Sequence, residues 1–228
     1  MVQNIMDTWG KIPVLNFFIS YGLYAILIPS FAVCTLFNSK EKRKNNHKYN
    51  LLCHRYFMRS LGWGIITAAT IYLASLVLPE NETPWIAFFI IMLYTLMEID
   101  KRMLLLPDIL TVPLLIVGFS YAVFAGGMLG YEPAASAANS ALGAAAGYVI
   151  PVIASLFLIK KYPEAFGGGD IKLLSAVGSW VGLTNIPYVI LLSCLLFAVS
   201  CFINKQRQGA FGPSIVIASL IILFLSEY

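Results

Sequence analysis

The chain contains eleven acidic residues, and they are not equivalent in what they cost. Asp7, Glu80, Glu82, Glu132 and Glu227 fall in polar stretches, and Glu41 sits in the basic segment SKEKRKNNHKYNLLCHR (39–55), so none of them needs a chemical explanation. Glu98, Asp100, Asp108, Glu164 and Asp170 lie instead at the ends of long apolar runs, where placing a charge is costly and marks a candidate site. Asp100 closes one such run in LMEIDKRMLLLPDIL, and Asp170 opens another in AFGGGDIKLL. Glycines 167–169 accept backbone conformations closed to other residues and allow close approach. They also put Asp170 near a helix N-terminus, where the dipole favours a carboxylate. If the two helices adjoin, the carboxylates meet. Two close carboxylates cannot both stay ionised cheaply, so the pair keeps one proton. The ionised partner can then withdraw a proton from water while the protonated one hydrogen-bonds a scissile carbonyl, which is amide hydrolysis without metal or covalent intermediate.

The elements that must position such a pair are membrane spans. Of 228 residues, 59% are hydrophobic and only 11% charged, with mean hydropathy +0.81. A soluble domain carries about a quarter charged residues. Runs long or nearly long enough to cross a bilayer fall at 13–37, 61–79, 84–99, 108–126, 139–159, 171–184, 186–203 and 211–226. The sequence thus predicts an all-α polytopic membrane protein of about eight transmembrane helices, one domain over 1–228 with a basic loop at 38–60. The sixth run is short and begins at the glycines, which predicts a tilted or broken helix. MVQNIMDTWGKIP lacks a basic n-region, so the first run is expected to be a retained helix.

Threading eight spans with both termini outside puts every lysine and arginine except Lys11 on the inner side, as basic residues prefer. The net charge of +4 therefore reports topology. The loop 38–60 is expected to meet anionic lipid head groups. No aromatic platform or groove-reading helix accompanies the charge, which excludes a nucleic-acid binder. Asp100 and Asp170 both fall on the inner side.

The remaining features have structural readings. Cys34, Cys53, Cys194 and Cys201 form no C-x2-C pair, arguing against a zinc site or disulfide framework, and His47 and His54 read as solvated or packed. Gly143 and Gly147, in AASAANSALGAAAG, form a G-x-x-x-G expected to pack the fifth helix tightly against a neighbour. Asp108, after Pro107, could join the catalytic pair or cap the fourth helix, and capping is the expectation. Glu98, on nearly the opposite face from Asp100, is read as structural or as a tuning charge. Lys172 can pair with a carboxylate or snorkel to the interface, and snorkelling is the expectation.

Three segments in order carry a family resemblance. MEIDKRMLLLPDILTVPLL resembles the D-x6-P-D segment of type IV prepilin peptidases, FGGGDIKLLSAVGSWVG their G-x-G-D-x-K-L-L segment, and AFGPSIVIA their F-G-P segment before the last helix. The resemblance spans roughly residues 85–220. It implies a multi-pass aspartyl protease of the bacterial inner membrane that cuts short basic leader peptides from type IV prepilins or pseudopilins, on the cytoplasmic side after a glycine. The family's catalytic aspartates map onto Asp100 and Asp170. Pro107, Gly167, Gly168, Gly169, Lys172, Phe211, Gly212 and Pro213 fall in the matching motifs as site-shaping or substrate-binding positions, with no metal and no cofactor. Many members carry paired C-x2-C motifs between the first two spans and some also methylate the new N-terminus. Here the loop has Cys53 alone and no glycine-rich cradle for S-adenosylmethionine, so zinc and methyl transfer are not expected. The alternative from a different class is a transporter that binds a cation or relays protons through the same two aspartates.

Overall fold

A computed structural model describes residue 62 and residues 64–76, 82–126, 132–158, 167–205 and 209–226. The first candidate span, the basic loop 38–60 and both termini lie outside the described residues. The chain divides into two compact units, 1–95 and 96–228.

Every regular element among the described residues is an α-helix: α1 (Gly64–Leu76), α2 (Thr83–Met103), α3 (Asp108–Ala125), α4 (Pro133–Leu158), α5 (Gly168–Asn204) and α6 (Gly212–Ser226). Four of these, α2 to α5, are long and apolar enough to cross a membrane, while α1 and α6 are shorter apolar helices. The protein is an all-α membrane protein. Two boundaries differ from expectation. Helix α4 starts at Pro133, not near 139, because alanines 134, 135, 137 and 138 are strong helix formers although too weakly apolar to extend a hydrophobic run. The sixth and seventh candidate spans are the two helical segments of α5, which meet at a kink at Gly182 with no linker between them.

That break explains much of the packing in the second unit. Gly182 adopts φ 77° and ψ 175°, a backbone state that favours glycine. The N–H of Leu183, left without a helical partner, donates to Asn139 Oδ1 of α4 at 2.9 Å, and the neighbouring Ser140 hydroxyl donates to the Ser179 carbonyl at 2.6 Å. In hydrocarbon, such freed backbone groups must be satisfied by neighbouring helices. On the N-terminal side of the break, residues 173 to 182 are all buried, with α5 packed against α3, α4 and α6. Trp180 stacks on Tyr121 at 5.5 Å and its indole N–H donates to the Leu114 carbonyl of α3 at 2.8 Å.

Close approach of α4 and α5 rests on the predicted small-residue seam. A Cβ on Gly143 would lie 2.6 Å from the Gly182 carbonyl carbon, one on Gly178 would lie 2.7 Å from the Gly143 carbonyl carbon, and one on Gly147 would lie 2.8 Å from that of Leu174. The backbones touch reciprocally, as small-xxx-small seams allow. Gly143→Ala is therefore expected to destabilise the protein by about 1–3 kcal/mol through overpacking, read as a lowered unfolding midpoint in detergent. An unchanged midpoint would show that the seam yields at no cost.

Candidate active site

Asp170 stands where the local sequence dictates. Gly167 is the N-cap of α5, in extended conformation, and offers no side-chain acceptor for the first turn. Asp170, the third residue of the helix, reaches back to accept the Gly167 backbone N–H, the reciprocal half of a capping box. Gly169 faces the segment between α2 and α3, and a Cβ there would lie 2.9 Å from Leu106 Cβ. The glycine thus lets the start of α5 press against the residue before Pro107. At Gly168, by contrast, a Cβ would meet none of the described residues.

Asp100 lies near the end of α2, one turn before the helix closes at Leu104, which takes a left-handed conformation (φ 52°) and donates its N–H to the Asp100 carbonyl at 2.8 Å. The Asp100 side chain is only 5% exposed. Its Oδ2 accepts the backbone N–H of Gly212 at 2.8 Å. Gly212 is the first residue of α6. Ser214 and Ile215 donate to the Phe211 carbonyl, and Pro213 has no N–H, so the Gly212 donor is the one turned to the carboxylate. A Cβ on Gly212 would sit 2.6 Å from Asp100 Oδ2. Phe211 is anchored edge-on against Phe197 of α5 at 5.3 Å. The F-G-P segment therefore presents a helix N-terminus to a buried anion.

These three contacts bring Asp100, Asp170 and Gly212 into one region of the second unit, with the two carboxylates within electrostatic reach of each other. Each aspartate has an oxygen held by a backbone N–H at a helix start. Two carboxylates that bear on each other in this way can share one proton.

Two side-chain readings are corrected. Asp108 makes no capping hydrogen bond; Pro107 is the N-cap of α3 and Asp108 is the first helical residue. Lys172 takes the less expected of its two readings, pairing with a carboxylate. Its Nζ donates to both Asp108 oxygens, at 2.7 and 2.8 Å. The pairing spans 64 positions and has no signature in the linear spacing. Glu98, read as structural or tuning, is 3% exposed and paired with Arg102 one turn further along α2. Among the described residues no three His, Cys, Asp or Glu side chains gather as metal ligands.

Comparison with known proteins places this geometry. The model of the type IV leader peptidase family matches residues 87–202, a stretch that includes both aspartates. The chain is similar to the prepilin leader peptidase/N-methyltransferase of Vibrio cholerae, 30% identical over 181 residues that make up 74% of this chain and 65% of that one. The proteins of the same description from Neisseria gonorrhoeae and Xanthomonas campestris pv. campestris are 30% identical over 139 residues (59% of this chain, 46% of that one) and 42% identical over 135 residues (55% and 44%). The chain thus spans about half to two thirds of the length of these curated relatives. No solved structure matches. With a family model covering half the chain, the chain belongs to the type IV leader peptidase family.

Proposed function

We propose that this protein is a membrane aspartyl endopeptidase that removes the basic leader peptide of type IV prepilins or pseudopilins at the cytoplasmic face of the bacterial inner membrane, with Asp100 and Asp170 as its catalytic residues. The observation that carries the reading is the hydrogen bond from Gly212 to Asp100. It ties the D-x6-P-D and F-G-P segments to one place, and Asp170 of the third motif bears on the same carboxylate. The ionised aspartate takes a proton from water, whose oxygen adds to the scissile carbonyl carbon. The protonated aspartate hydrogen-bonds the carbonyl oxygen, and collapse of the tetrahedral species breaks the C–N bond as the leaving nitrogen is protonated. The cytoplasmic orientation is supported by Lys101, Arg102 and Lys172, which cluster with the aspartates at the same helix ends. Family membership favours peptidase over the cation-binding transporter. The methyl transfer in the relatives' names is left out, because the loop 38–60 has no cysteine pair or nucleotide cradle.

The purified full chain, incubated with a prepilin in the presence of chelator, is expected to yield a product whose mass has lost the leader and gained no methyl group. An uncut substrate would count against the peptidase, and cleavage abolished by chelator would turn the reading towards a bound cation.

A further inference from the structure

Helix α5 carries more than Asp170. Its first segment, 168–181, begins at the glycines and is buried from Leu173 onwards, whereas its second, 183–204, is covered along one narrow stripe. Ile186, Val189 and Ser193 are buried at helical spacing, and Phe197, half-buried, continues the stripe one turn further on. On its other faces Tyr188, Leu191, Leu195 and Val199 are exposed. The direction of the second segment therefore rests on that stripe, on the joint at Gly182 and on what Phe197 meets.

Phe197 meets the segment that leads into α6. Its ring lies edge-on to Phe211 with centroids 5.3 Å apart, and a Cβ on Gly209 would touch it at 3.8 Å. The residue after Phe211 is Gly212, whose N–H holds Asp100. In an unbroken helix Phe197 would stand about 40 Å from Asp170, at 1.5 Å per residue. It packs instead on the neighbour of the group that bonds Asp100, and Asp100 and Asp170 bear on each other, which charges do over only about 10 Å. The kink at Gly182 thus folds the second segment back towards the first. Asn139 of α4 pins that kink. Its Oδ1 accepts the N–H of Leu183, the first donor past the joint, at 2.9 Å, and a Cβ on Gly182 would lie 2.9 Å from its Cγ.

Resting on the peptidase reading above, we propose that Phe197 and Asn139 are positioning residues. Asn139 fixes the angle at Gly182, and the second segment so held carries Phe197 to Phe211, which keeps the Gly212 N–H on Asp100 while the first segment presents Asp170. Both act through Gly212. Phe197→Ala frees residues 209–212 to shift, and a shift of about 1 Å at a reacting group costs on the order of 10²-fold. The kcat is therefore expected to fall by about 10- to 100-fold with KM nearly unchanged. Phe197→Tyr, which keeps the ring edge, is expected to stay near the wild type. Asn139→Leu keeps the volume and loses the acceptor, and should lower kcat by about fivefold, the effect of one unmade neutral hydrogen bond. Asn139→Asp, which keeps the acceptor, should restore it. Gly212→Ala already loses the bond to Asp100, so neither Phe197→Ala nor Asn139→Leu should cost much more when added to it; the losses do not multiply. Amide exchange read by mass spectrometry is independent of cleavage. The segment 210–212, which precedes a proline without an N–H, should exchange about 10-fold faster in Phe197→Ala while residues 173–182 keep their protection.

Either wild-type kcat or unchanged exchange at 210–212 in an inserted Phe197→Ala protein overturns the proposal. Losses that multiply in the double variants overturn it too, as does exchange that quickens through the whole bundle, since both mark a merely structural role. Should Phe197→Ala fail to accumulate, Phe197→Leu carries the same comparison with the same outcomes. A wild-type protein that leaves the prepilin uncut is a different failure, that of the peptidase reading, and the exchange measurement still decides whether Phe197 holds Gly212.

Discussion

Asp100→Asn and Asp170→Asn are each expected to reduce leader cleavage by about 10³-fold or more while leaving the protein inserted and at least as stable as the wild type. The magnitude follows from removing the acid–base function of a pair that acts as a unit, so that either loss alone nearly empties the site of activity. The stability half of the prediction comes from the structure. Asparagine at position 100 can present its carbonyl oxygen to the Gly212 N–H, keeping the bond that Asp100 Oδ2 makes at 2.8 Å. It also replaces one of two ionisable groups that disfavour each other's charge with a neutral one. Functional sites commonly trade stability for activity in this way. Asp100→Ala gives the contrast: equally inactive, but less stable by roughly 1–3 kcal/mol because a buried backbone donor loses its acceptor. Cleavage rates and unfolding midpoints on the same detergent-purified samples separate the two effects. If either asparagine variant cleaves at the wild-type rate, that aspartate is not catalytic.

Gly212→Ala is the second large effect. The new methyl would lie 2.6 Å from Asp100 Oδ2 and 3.0 Å from its Cβ and Cγ, well inside ordinary contact distance. Asp100 is buried at 5% exposure and cannot swing out into solvent to relieve the clash. Either its carboxylate rotates away or the start of α6 retreats, and both outcomes lose the Gly212 hydrogen bond. A displacement of about 1 Å at a reacting group costs on the order of 10²-fold in rate. The helix itself should tolerate the change, since alanine is the better helix former. A strong fall in kcat with near-normal insertion is therefore expected. Gly209→Ala is the control: among the described residues its added Cβ meets only Phe197, at 3.8 Å, ordinary contact. Activity of Gly212→Ala within threefold of that control would mean that the F-G-P segment does not set the position of Asp100.

Both predictions depend on contacts between segments far apart in the chain, and this divides what could be read early from what could not. The glycines at 167–169 announced a helix start and a carboxylate in its first turn, because N-cap chemistry is local and uses residues within one turn. The role of each glycine was not legible: Gly167 caps, Gly169 clears Leu106, and a Cβ on Gly168 would meet none of the described residues. The small-residue seam was readable as a seam, though its partner, the Gly178 to Gly182 stretch of α5, was not. Asp108 shows the limit most clearly. Its position after a proline suggests a cap, yet its carboxylate goes to Lys172 on another helix.

From the amino-acid order alone came the membrane class, the approximate helices and the short set of carboxylates whose placement demanded a reason. These follow from transfer free energies and capping preferences that act residue by residue or within a single turn. Tertiary structure alone decided that Gly212 holds Asp100 across 112 positions, that Asn139 satisfies the break in α5, and that Asp108 pairs with Lys172. Such pairings arise only when helices return to the same place, and several partners suit each group equally well in the linear chain. Close packing of apolar helices, where a polar group left unpaired costs several kcal/mol, leaves room for one of them.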